Sequence, residues 1–150
     1  MSDKGNPSTT ARAATPADAE SVAALSCQLG YPSLPQAVHQ RLERIQRDDN
    51  RAVYVAELAG GGVVGWIEVF AYELLIAELR AEIEGLIVDE RYRGAGIGRQ
   101  LIGRAEAWAK GRGCKAVYLR SNIIRERAHA FYRNLGYETI KTQLAFEKRL

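Results

Sequence analysis

Leu86–Arg99 reads LIVDERYRGAGIGR. The apolar run Leu86-Ile87-Val88 reads as the end of a buried strand, and Asp89 to Tyr92 turn the chain. Arg93-Gly94-Ala95-Gly96-Ile97-Gly98 then leads straight into the helical spacing of Leu101, Ile102, Ala105 and Trp108. Strand, glycine-rich turn, helix is an order that gathers backbone N–H groups at a helix N-terminus with no side chains in the way, which suits a phosphate or pyrophosphate. A G-x-x-x-x-G-K-[ST] loop would need Lys and a hydroxyl after its last glycine, but Gly98 is followed by Arg99-Gln100. A dinucleotide fingerprint needs G-x-G-x-x-G and an acid about 20 residues further on. Here Gly98 comes one residue early, Tyr118-Leu119 occupy the region of the acid, and no Asp follows Asp89. A third pattern, [Q/R]-x-x-G-x-[G/A], is met by Arg93, Gly96 and Gly98.

Outward from this stretch the chain punctuates itself. Ala52–Leu58 and Val63–Tyr72 are β-rich runs around Gly60-Gly61-Gly62, which predicts an antiparallel hairpin. Leu74–Leu79 reads as a loop or ragged strand ends, and Arg80 or Ala81 to Val88 as a third long strand. Earlier, Thr15 is placed as an N-cap with Pro16 in the first helical position and Asp18 in the first turn, and Gly30 ends that helix. Leu34–Asp48 is a second amphipathic helix with Val38, Leu42 and Ile45 on one face. Residues 1–9 are polar and read as a disordered tail, with Thr10–Ala14 a short first strand. Downstream, Gly98–Lys110 is a helix, Ala116–Arg120 a strand and Ile124 or Arg125 to Leu135 a short helix, and Tyr137–Leu150 suggests one or two closing strands. The order predicts an α/β (α+β) fold: a mixed, mostly antiparallel twisted sheet flanked by about four helices, in one domain over residues 10–150.

Composition narrows the class. A chain of 150 residues, 47% hydrophobic and 26% charged, is that of an ordinary soluble domain. No apolar run approaches a membrane span, and MSDKGNPSTT has no apolar core of a signal peptide, so a cytoplasmic location and no membrane partner are expected. The net charge of +3 suits a polyanionic cofactor, but the basic residues are scattered among acids, which argues against nucleic acid. Cys27 and Cys114 lack metal-site spacing and read as reduced, half-buried thiols. His39 reads as exposed on a helix, and His129 as structural. No His, Cys and Asp cluster has the spacing of metal ligands, so no metal is expected.

A second signature follows the strand after the glycine-loop helix. Ser121–Tyr137 reads SNIIRERAHAFYRNLGY, which contains A-x-x-F-Y-x-x-x-G-[FY] as Ala128, Phe131, Tyr132, Gly136 and Tyr137. With both motifs in order, about Thr10 to Leu150 resembles the GCN5-related N-acetyltransferase superfamily. Ser-Asn-x-x-Arg-x-x-Ala-His-x-Phe-Tyr and the Glu-Ile-Glu strand are most similar to its aminoalkylphosphonate and small-amine branch. The resemblance implies acetyl-CoA as cosubstrate, with Arg93, Gly94, Ala95, Gly96, Ile97, Gly98 and Arg99 around its pyrophosphate. It implies that the pantetheine arm runs beside Leu86, Ile87 and Val88. Many members carry a cofactor-contacting Asn seven residues before the Tyr; here Arg125 stands there, and Asn122 is the nearest Asn.

Acetyl transfer to an amine sets the remaining roles. A primary amine with pKa near 10.4 is about one part in 10³ neutral at pH 7, so a base must take its proton. The thioester oxyanion needs fixed donors, and the departing thiolate needs a proton. Period two places Glu82, Glu84 and Leu86 on one strand face, where two carboxylates sharing a proton would raise one pKa. In the family the base sits at the positions of Glu82 and Glu84, backbone N–H groups around Leu86–Val88 meet the oxygen, and Tyr132 is the acid. Arg12, Arg41, Arg44 and Arg80 are candidates for an anionic acceptor. The expected activity is N-acetylation of a small-molecule primary amine, with an aminoalkylphosphonate as one acceptor, by direct attack in a ternary complex. A protein or peptide acetyltransferase and a non-catalytic acyl-CoA-binding module stand as alternatives, and a homodimer fits the resemblance.

Overall fold

A computed structural model describes residues 6–150; the start of the predicted tail, residues 1–5, lies outside them. Two compact units are present, one ending at Leu119 and the other spanning Arg120–Leu150.

The first unit runs β1 (Thr9–Ala13), α1 (Ala19–Leu29), α2 (Pro35–Gln46), β2 (Arg51–Leu58), β3 (Val63–Leu74), β4 (Ala77–Val88), α3 (Ile97–Gly111) and β5 (Val117–Leu119). The five strands form one sheet in the order β1-β2-β3-β4-β5. All pairs are antiparallel except β4 with β5. The β2–β3 hairpin turns on Gly61 and Gly62, whose φ values of +95° and +99° lie where side-chain-bearing residues are strained. The first helix is entered as its sequence demands: a 3-10 turn over Pro16–Asp18 precedes it, and the Thr15 N–H donates to the Asp18 carboxylate at 2.8 Å.

The sheet is covered on both faces. Val22, Ala23, Val38, Leu42 and Ile45 of α1 and α2 pack with Val53 and Val55 of β2 and with Trp66. On the other face Leu101 and Ile102 of α3 are fully buried, and Gly65 lets α3 sit close: a Cβ there would stand 3.2 Å from Leu101 Cδ1.

Three expectations are corrected. Of the two readings of Leu74–Leu79, strand ends hold and the loop does not: β3 runs to Leu74, and β4 starts at Ala77 instead of Arg80 or Ala81, so only the exposed Leu75-Ile76 turns the chain. On β4, Ile83 pairs with Val69 and Gly85 with Glu68, so Glu84 is the extra residue of a bulge. The bulge breaks the period-two reading: Glu82 shares a face with Phe70, whereas Leu86 pairs with Ile67 on the opposite face.

The second unit holds α4 (Glu126–Asn134), closed by Gly136 at φ +93°. The third correction falls here: residues 137–150 form no strand, and Ile140, Leu144 and Phe146 are exposed. Alternating β-formers make a strand only where a neighbour offers a ladder, and none pairs with this run among the described residues.

Candidate active site

The sheet's pairing pattern builds the first part of the site. β5 pairs with β4 only at Ala81–Ile83, so past the Glu84 bulge the outer edge of β4 has no strand beside it among the described residues. That edge carries Leu86, Ile87 and Val88, which are bonded to β3 on their other side. Glu82 sits just before the divergence and is only 4% exposed, whereas Glu84 is exposed. Both carboxylates are engaged by other groups. The two acids therefore lie in different surroundings, not the equivalent ones that simple alternation predicts.

The glycine loop follows directly. Asp89 anchors its start: its N–H donates to the Val64 carbonyl at 2.8 Å, and its carboxylate receives the Arg91 backbone N–H at 3.0 Å and the Arg91 guanidinium at 2.8 Å. These donors hold the Asp89 pKa down to about 2. The Arg93 guanidinium turns back through Nε to the Val88 carbonyl at 3.0 Å, tying the loop to the end of β4. Gly94 and Gly96 are both left-handed, at φ +80° and +81°, and a Cβ on either would meet nothing within 4 Å. Gly96 is the N-cap of α3, so the first-turn N–H groups of Ile97, Gly98 and Arg99 have no intrahelical acceptor. Arg93 and Arg99 are exposed beside this cradle, and Ala95 is half-buried within it.

In the second unit, Tyr132 lies in α4, half-buried, with edge-on contacts to Phe131 (5.2 Å between centroids) and Tyr137 (6.0 Å). Burial raises its pKa, and the nearby positive charge of Arg125 opposes that shift. Asn122 builds the turn before α4: its Oδ1 accepts from the Ile124 N–H at 3.1 Å, and its carbonyl accepts from the Arg125 N–H at 3.0 Å. His129 Nε2 lies 2.9 Å from the same carbonyl, a structural use of that ring.

The sequence profile of the acetyltransferase (GNAT) family matches residues 20–137. The chain belongs to this family. Aminoglycoside N(6')-acetyltransferase type 1 of Stenotrophomonas maltophilia is 30% identical over 145 residues, 94% of each chain. Aminoalkylphosphonate N-acetyltransferase of Salmonella typhimurium is 34% identical over 140 residues, 93% of this chain and 90% of that one. A solved structure of aminoglycoside N-acetyltransferase AAC(6')-Iy with CoA superposes at a TM-score of 0.85, covering 100% of both chains at 19% identity, a likeness of fold.

As a GNAT member the chain is an N-acetyltransferase, and its loop fits acetyl-CoA. Two left-handed glycines with open space over them leave room for a pyrophosphate against the helix N-terminus, and Arg93 and Arg99 add positive charge. Among the described residues no cluster of His, Cys, Asp and Glu could hold a metal, and no helix is long and apolar enough to cross a membrane.

Several residues of this acetyltransferase escape a sequence reading. Gln28 at the end of α1 accepts the Glu90 N–H at 3.1 Å, 62 residues away in the chain, and no local pattern signals it. Asp89 had a signal, as an Asx residue opening a turn after a strand. Of the four arginines considered for an anionic acceptor, Arg12 is bound to Asp18 and Glu57, and Arg41 and Arg44 are exposed on α2. Cys27 is exposed and Cys114 half-buried, both free thiols.

Proposed function

We propose that this acetyltransferase moves the acetyl group of acetyl-CoA to the primary amine of a small molecule by direct attack in a ternary complex. The observation that carries this reading is the course of β4. Among the described residues the strand holds Glu82 buried, loses its outer neighbour at the Glu84 bulge, and runs into the left-handed glycine turn of α3. An unpaired strand edge offers backbone groups to an extended amide chain, and the glycine turn offers N–H groups to a pyrophosphate.

The roles follow from the reaction's needs. Glu82, directly or through water, takes the ammonium proton, with Glu84 as the second carboxylate. The amine nitrogen bonds to the thioester carbon, and N–H groups around Leu86–Val88 hold the oxyanion. The C–S bond breaks, and the CoA thiolate takes its proton from Tyr132. Arg93 to Arg99 hold the pyrophosphate, with Asn122 and Arg125 as further cofactor contacts. A cytoplasmic location and a homodimer complete the proposal; light scattering on the purified protein checks the second.

The test is thiol release from acetyl-CoA with a panel of aminoalkylphosphonates, polyamines, aminoglycosides and short peptides. Turnover with a small amine is the expected result. Turnover with peptides alone moves the assignment to a protein acetyltransferase. Tight acetyl-CoA binding without turnover of any amine makes the chain an acyl-CoA-binding module.

A further inference from the structure

Three strands bring one set of side chains into a row. Tyr72 of β3 pairs with Arg80 of β4, and Glu82 pairs with Phe70 of β3 and Tyr118 of β5. Phe70 and Tyr72 stack at 5.1 Å between centroids. The Arg80 guanidinium lies against two of these rings, its Cζ 5.2 Å from the Tyr72 centroid and 4.6 Å from that of Tyr118. Its Nε donates to the Tyr72 hydroxyl at 2.9 Å, which fixes the plane.

Arg80 differs from the arginines that are held in short ion pairs. Arg12, Arg51 and Arg91 each face a carboxylate within 2.9 Å. Arg80 has no carboxylate at ion-pair distance among the described residues, and its two terminal nitrogens donate to none of them. A guanidinium held by aromatic faces and oriented through Nε presents those two nitrogens as a ready fork for an oxyanion. Two residues on, and on the same face, stands Glu82; the bulge lies beyond it, so alternation holds from Arg80 to Glu82. Such neighbours are spaced by about 6.7 Å along a strand. A cation and an anion at that spacing complement a short zwitterion, with its ammonium at Glu82 and its acid at Arg80.

We propose that Arg80, clamped by Tyr72 and Tyr118, is the acid-binding subsite of the acceptor. The acceptor is then a short primary amine bearing a phosphonate, phosphate or carboxylate two or three carbons from nitrogen. This rests on the acetyl-transfer reading above and narrows it, since a polycationic amine would bring like charge to Arg80.

Steady-state kinetics on wild type, Arg80→Gln and Arg80→Lys test it, with 2-aminoethylphosphonate, β-alanine, ethanolamine and an aminoglycoside as acceptors. Wild type is expected to favour an acid-bearing amine over ethanolamine by about tenfold or more in kcat/KM, and the better of the two acids identifies the group. Arg80→Gln lowers that preference by about 10- to 100-fold, mainly through KM, and Arg80→Lys restores part of it. A preference that stays within about threefold in Arg80→Gln overturns the subsite, as does a wild type that favours ethanolamine or the aminoglycoside. Should no amine turn over, acetyl transfer itself fails, and calorimetric titration with 2-aminoethylphosphonate judges the subsite alone. Binding lost in Arg80→Gln upholds it, and no binding to wild type overturns it. Arg80→Lys carries the comparison if Arg80→Gln does not fold.

Discussion

The indole of Trp66 lies directly over Gly85: a Cβ on Gly85 would stand 2.7 Å from both Cη2 and Cζ3 of the ring. Gly85 follows the bulged Glu84, and Trp66 packs against the core beneath α1 and α2. The lack of a side chain at Gly85 thus lets β4 bulge over that core. Gly85→Ala must push either the ring or the strand, at a cost of about 1–3 kcal/mol. Urea unfolding reads the loss, and kcat falls with it because the displaced strand carries Glu82. An unchanged midpoint would show that the ring moves aside freely.

The glycine turn gives a second expectation. At φ +81°, Gly96 strains any residue with a Cβ by about 1–2 kcal/mol, although the space over it is open. Gly96→Ala therefore folds with a modestly lower Tm, and its KM for acetyl-CoA rises by about tenfold or more while the KM for the amine changes less. Equal changes in both constants would detach this turn from the cofactor.

Acid stability follows from Asp89. Its folded pKa of about 2 lies below the ordinary carboxylate value of 3.8. The carboxylate form is favoured by folding, so its contribution is whole above about pH 4 and is lost as pH falls toward 2. Arg91 is 75% exposed, so solvent screening keeps this contribution small. Asp18, bonded to Arg12 at 2.9 Å by each oxygen, also has a lowered pKa and acts in the same direction. Asp89→Asn is expected to flatten the stability curve between pH 4 and 2, as followed by circular dichroism. A curve parallel to wild type would remove Asp89 as the cause.

Two substitutions test the proton transfers. Glu82→Gln and Tyr132→Phe should each lower kcat by about 10²-fold with little change in the KM for acetyl-CoA. Burial raises the Tyr132 pKa, so its hydroxyl stays protonated through neutral pH. An alkaline loss of activity due to it is therefore displaced upward from the ordinary tyrosine range. Full kcat in both variants would remove these residues from the chemistry.

Whatever depends on a few consecutive residues was written in the sequence. Gly30, Gly61, Gly62, Gly94, Gly96 and Gly136 all take positive φ at the turns and helix ends where the sequence places breaks. The apolar spacing of α1, α2 and α3 and the two family motifs likewise need only local order. What the sequence did not show arises where separate strands meet. The bulge at Glu84 falls in the pairing of β4 with β3, one residue past the point where β5 ends at Leu119 opposite Ile83. Arg80 finds its aromatic clamp only because Tyr72 and Tyr118 arrive from the strands on either side. Arg12, an open candidate in the sequence, is taken up by Asp18 and Glu57 once β1 lies on β2. Residues 137–150 carry the alternation of a strand yet form none, because a ladder needs a partner as well as a pattern. Local backbone preference determined the turns and helices; pairing between distant segments decided which charges are buried, which are bound, and which remain for a ligand.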